Sequence, residues 1–206
     1  MSKSCSFTPG NDKPRKIGSA ELWSPPTSSP EYMQSISLAE RWQPSRPHVL
    51  VVACSDGRLQ EATDEFLDRA LGVRQYDRLY APGGAGALAS SGRDFIRAQA
   101  WRRECRFLVE AHQVEHLVLL FHGPAVDGPL AAVCADYRRK HHWATAAQLR
   151  ERQESDVGDL LDRREEFTGD THVSIYRFEV GADESVKVVT LYADPGALAD
   201  DVPDSR

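Results

Sequence analysis

His48-Val49-Leu50-Val51-Val52-Ala53-Cys54-Ser55-Asp56-Gly57-Arg58 is the stretch on which the architecture turns. After His48, its next five residues are apolar, most of them β-branched, with no polar alternation, which is how a strand covered on both faces reads. A helical pattern follows directly, with Leu59, Ala62, Phe66 and Ala70 three or four apart and Gly72 suited to a C-terminal cap. A strand passing straight into a helix is the opening of a parallel α/β unit.

The same signature recurs downstream. Arg78-Leu79-Tyr80 reads as a strand running into the glycine-rich loop Ala81-Pro82-Gly83-Gly84-Ala85-Gly86. A helix is expected over about 92–112, with Phe95, Ala98, Trp101, Cys105 and Leu108 as its apolar stripe. His116-Leu117-Val118-Leu119-Leu120-Phe121 repeats the buried-strand run, and His122 stands at its end. After Gly128-Pro129, the spacing of Leu130, Val133, Cys134 and Tyr137 predicts another helix, with Pro129 in its first turn. Residues 138–166 are dense in both charge signs and read as a solvated helical surface. Residues 173–180 and 186–192 read as two strands joined by the hairpin-like loop Gly181-Ala182-Asp183-Glu184-Ser185. The expected fold class is therefore α/β, a mainly parallel sheet flanked by helices with a C-terminal strand pair. Any ligand site belongs at the carboxyl ends of the strands.

Flanking segments differ. Residues 1–30 are rich in serine and proline and read as a flexible arm, with Trp23 its one large apolar group. Residues 31–194 form the single expected domain, opening with a short helix over 31–42, and 195–206 an acidic tail. The chain has 206 residues, 41% hydrophobic and 27% charged, which excludes a disordered, fibrous or disulfide-dominated protein. A net charge of −6 disfavours broad nucleic-acid binding, and no apolar run approaches the ~20 residues that span a bilayer. With no hydrophobic signal core at the start, a cytoplasmic setting is expected, and the four cysteines read as reduced thiols.

The chemistry-bearing residues cluster at the expected strand ends. Cys54 lies near a helix N-terminus, where its thiolate, the metal-binding form, is stabilised. Asp56 and Arg58, two apart in a turn, can pair and hold a carboxylate in one orientation. The plainer alternative is a structural cysteine followed by a polar turn. Cys105 and Cys134 lie at helical spacing on apolar stripes and read as core, and Cys5 as incidental. The glycine-rich loop lacks the ending of a P-loop and the spacing of a dinucleotide fingerprint.

Cys54-x-Asp56-x-Arg58 after the first strand resembles the zinc-site signature of the β-class carbonic anhydrases. The loop at 81–86 and the strand delivering His122 resemble that family's corresponding segments. The resemblance spans roughly 48–192. It implies zinc held by Cys54 and His122, an Asp56–Arg58 dyad orienting a zinc-bound hydroxide, and carbon dioxide or a similar small electrophile as substrate. It also implies a homodimer or a multiple of dimers. The family's second cysteine, three residues after the histidine, is Ala125 here, its preceding glycine is Phe121, and Ala81-Pro82 replaces Asn-Ala. Two substitutes for the missing ligand are expected: Asp127, whose other reading is a turn residue before Gly128-Pro129, or Asp56 itself. The competing expectation is a catalytically degenerate relative without a full zinc site, used for binding or assembly.

Overall fold

The computed structural model describes residues 37–90 and 94–198. The chain divides into two units, 1–42 and 43–206. Of the first, only 37–42 are described, and these carry neither helix nor strand, so no helix extends over this part of the expected 31–42 segment. The rest of that segment, the serine- and proline-rich arm with Cys5 and Trp23, and the end of the acidic tail lie outside the described residues.

The second unit is built on five strands: β1 (Val49–Cys54), β2 (Asp77–Ala81), β3 (His116–Pro124), β4 (His172–Val180) and β5 (Val186–Ala193). Their order across the sheet is β2-β1-β3-β4-β5. The first four are parallel, and β5 returns antiparallel to β4. This is the α/β class read from the apolar runs. The reason is visible in the burial: every residue of β1 except Cys54 is buried, so both faces need a cover. Leu50, Val52, Leu117, Leu119, Phe121 and Ile175 fill one core. Val51, Ala53, Val118, Leu120, Tyr176 and Phe178 fill the other.

Helix α1 (Gln60–Arg69) covers the second core. Leu67 is its buried anchor, and Phe66 meets Tyr176 and Phe178 edge-on at centroid distances of 4.9 and 5.6 Å. Across the sheet, α2 (Phe95–His112) buries Ala98, Arg102, Cys105 and Val109. Its expected stripe is thus rotated: Phe95 is half exposed, and Arg102 goes inside. The Arg102 guanidinium is satisfied there, donating to the Leu88 carbonyl at 2.7 Å and to Glu166 at 2.7 Å.

The helix expected after Pro129 is not continuous. A 3-10 turn occupies Leu130–Ala132, Val133 and Cys134 are extended with ψ of 130° and 128°, and only then does α3 (Ala135–Lys140) begin. The break places Leu130 in solvent, off any buried stripe, and lets Cys134 leave the helical face assigned to it. Helix α4 (Ala146–Asp162) opens with a reciprocal Thr145–Gln148 capping box. It is amphipathic rather than solvated throughout, burying Leu149, Gln153, Asp156, Val157 and Leu160.

Candidate metal centre

The site forms where β1 and β3, neighbours in the sheet, end beside the glycine-rich loop. Cys54 is the last residue of β1, and His122 lies within β3 opposite Phe178 of β4. Cys134 arrives from the extended break before α3. The three side chains offer ligand atoms within 4.8 Å of one another, the one such group of three or more potential ligands among the described residues. Cys54 and His122, sixty-eight positions apart, therefore do meet. The third member is neither Asp127 nor Asp56. Asp127 is exposed in the turn after β3 and stands outside the cluster, and Asp56 is engaged by Arg58. Cys134 is buried, as a core residue would be, but its sulfur faces the site.

The donor set fits a metal ion. Two sulfurs each ~2.3 Å from a tetrahedral zinc lie about 3.8 Å apart, and Cys54 Sγ and Cys134 Sγ are separated by 3.8 Å. Both thiols are free. His122 Nε2 is buried and has no hydrogen-bond partner. A buried imidazole nitrogen left unsatisfied is costly unless something accepts it.

The two thiols share one negative charge. The Cys134 S–H stabilises a thiolate at Cys54, with His122 and the Gly83 amide helping, and against burial these bring the Cys54 thiol down to about 4. Cys134 is pushed up, first because its proton serves the neighbouring sulfur and then by burial. A bound cation would favour ionisation of both.

The glycine-rich loop is shaped for this spot. Gly83 (φ 103°) and Gly84 (φ 55°) adopt left-handed conformations. A Cβ on Gly84 would lie 2.4 Å from the Leu120 carbonyl oxygen and 2.9 Å from the Cys54 nitrogen, and one on Gly86 would meet the Tyr137 ring. Close approach to the ends of β1 and β3 therefore demands glycine. From the other side, the Gln153 amide donates to the His122 carbonyl at 2.9 Å, a contact that no sequence pattern announces.

Asp56 and Arg58 form the pair expected of them. Arg58 Nε donates to Oδ1 at 2.9 Å, Nη2 to Oδ2 at 2.5 Å, and the Arg58 backbone N–H to Oδ1 at 3.2 Å. The remaining Nη1 donates to the Ala131 carbonyl at 2.9 Å, tying the pair to the segment that carries Cys134. The guanidinium holds the Asp56 carboxyl at about 2. Replacing Arg58 with methionine should therefore raise the Asp56 pKa toward the ordinary ~3.9, read from the pH dependence of its carboxyl carbon by NMR. Because the folded value is depressed, the stability from this pair is fully present above about pH 4 and is lost as pH falls through about 2. In Arg58→Met that acid-limb loss should shrink.

An open cleft of about 340 Å³ adjoins the cluster. Arg58, Glu184 and His122 are its polar lining, and Leu59, Pro129, Ala131, Ala132, Val180 and Val186 its apolar walls. A larger hollow of about 710 Å³ lies among His116, His172 and Thr171, at the start of β3 and β4, away from the cysteines.

No family model matches the chain, and no curated protein matches it. Solved structures do. A carbonic anhydrase from Streptococcus mutans is 18% identical, over 72% of this chain and 83% of its own, with a TM-score of 0.39. One from Glaciozyma antarctica is 16% identical over 72% and 84%, also at 0.39. The β-carbonic anhydrase isoform I of Trichomonas vaginalis is 15% identical over 76% and 88%, again at 0.39.

Proposed function

We propose that the chain is a divergent carbonic anhydrase-like lyase that uses zinc on carbon dioxide or a similar small electrophile. The observation that carries this reading is the Cys54–His122–Cys134 cluster standing beside an arginine-held carboxylate and an apolar cleft. Cys54, His122 and Cys134 would hold the metal. Bound there, zinc supplies Lewis acidity and brings the pKa of water toward neutrality. The expectation of a degenerate relative rested on Ala125, and Cys134 offers the thiol that Ala125 lacks.

The chain's own groups perform the rest. Asp56, ionised above about pH 2, is an acceptor that can take a hydrogen bond from a water at the cluster and so orient its lone pairs. Arg58 keeps that carboxylate in one rotamer by a two-pronged contact and keeps it from being protonated. Apolar walls of the cleft suit a small uncharged substrate, and the Arg58 guanidinium, 61% exposed, gives an anionic product an electrostatic exit. The same reading takes the working form to be a homodimer. Val126 and Leu130, exposed after β3, and the partly exposed Val186 give it an apolar rim to cover. Among the described residues no helix is long and apolar enough to cross a membrane.

Elemental analysis followed by stopped-flow hydration tests the proposal. About one zinc per chain is expected, with carbon dioxide hydration that Cys54→Ala abolishes. Asp56→Asn should keep the zinc and lose hydration by ~100-fold, the scale of a positioned proton acceptor. Protein that refuses zinc on reconstitution, or that holds it without hydrating carbon dioxide, would overturn the reading.

A further inference from the structure

We propose that Cys54 and Cys134 are also an oxidation site, closing to a reversible disulfide under hydrogen peroxide and so withdrawing both thiols from the cluster. The inference goes beyond the zinc reading and does not require it, because it needs only the two sulfurs. They are in contact at 3.8 Å and both free. A disulfide needs about 2.05 Å, so the sulfurs must approach by somewhat under ~2 Å. The backbone that must yield is outside any helix: Val133 and Cys134 are the extended residues between the 3-10 turn and α3. Cys54 is only partly buried, and its neighbours Arg58 and His122 line the open cleft, which gives a small oxidant a path.

The balance is complete with peroxide as the oxidant. The Cys54 sulfur attacks one peroxide oxygen, the O–O bond breaks, and a sulfenic acid and one water form. The Cys134 sulfur then attacks the Cys54 sulfur, the S–O bond breaks, and the second water leaves. Two thiols lose two electrons and two protons, and peroxide takes them up. Cys105 is the internal contrast: it is fully buried, and burial pushes its thiol up to about 12, so it stays protonated and unreactive.

The test uses the full chain with Cys5→Ser, stripped of metal by a chelator, treated with peroxide, alkylated and digested without reductant. The expected product is a cross-linked peptide pair joining Cys54 to Cys134, abolished by dithiothreitol, with Cys105 alkylated only after unfolding. Cys54 driven to sulfinic acid without a cross-link, pairing between chains, or both thiols still alkylated would each overturn the proposal. Cys134→Ser should leave a Cys54 sulfenic acid that dimedone traps. Should that variant fold poorly, the digest of the cysteine-intact site decides alone. A parallel sample loaded with zinc is followed with a chromogenic chelator, and zinc release should track disulfide formation. Cross-linking in a chain that takes no zinc would sink the metal reading alone. Zinc binding without cross-linking would sink this one alone.

Discussion

With zinc at the cluster as proposed, Cys134→Ser should cost the chain stoichiometric binding of the metal. Serine keeps the size and the polar character but removes a thiolate, and with it one negative charge and one strong bond to the metal. Loss of an outer-shell partner already lowers metal affinity ~10- to 100-fold, so loss of a direct ligand should exceed ~100-fold. Competition with a chromogenic chelator measures it. Asp127→Ala is the control: its carboxylate lies outside the cluster, and affinity should not change. A second control is internal to the fold. Cys134 is 1% exposed, so the variant's stability must be measured in parallel, and a melting temperature near that of the parent separates ligand loss from unfolding. Retained zinc in a folded Cys134→Ser would return the third-ligand role to Asp56.

Gly84→Ala should be strongly destabilising. The added Cβ would stand 2.4 Å from the Leu120 carbonyl oxygen and 2.9 Å from the Cys54 nitrogen, both backbone atoms of neighbouring strands. Neither can give way without disturbing the sheet. Left-handed strain at φ 55° adds ~1–2 kcal/mol to an overpacking cost of ~1–3 kcal/mol, and together they lower the stability by about 3 kcal/mol or more. Denaturant unfolding reads this directly. Two comparisons separate the causes. Gly72→Ala faces the same left-handed backbone, φ 66°, but open space, and should lose only the conformational part. Gly57→Ala has neither problem and should be nearly neutral. Because the clash includes the Cys54 backbone, Gly84→Ala should also weaken zinc binding in whatever fraction remains folded.

Strands β1 and β3 were legible because their apolar runs are buried throughout. Val49 to Ala53 and Leu117 to Phe121 have no polar alternation, as strands of a parallel sheet covered on both faces do. Asp56 and Arg58 were legible because their pairing is local, two residues apart in a turn that the carboxylate itself caps. The α2 stripe was less so. Arg102 is buried by partners at Leu88 and Glu166, the latter sixty-four residues away, and no helical periodicity encodes them.

Sequence by itself determined the α/β class, the place of the site above β1 and β3, and two of its three candidate ligands. These follow from apolar runs and short-range spacing, which the chain carries locally. Tertiary structure alone decided the third. Leu130, Val133, Cys134 and Tyr137 share the spacing of one helical face, but the helix is broken at Val133 and Cys134, and that spacing means nothing across a break. The turn at Gly128, where any Cβ would strike the Val180 carbonyl, and the Arg58 bond to Ala131 hold the broken segment against the end of the sheet. Eighty residues from Cys54, a thiol that reads as core is thereby brought into contact with it, because sulfur position is set by long-range packing and not by the helical period.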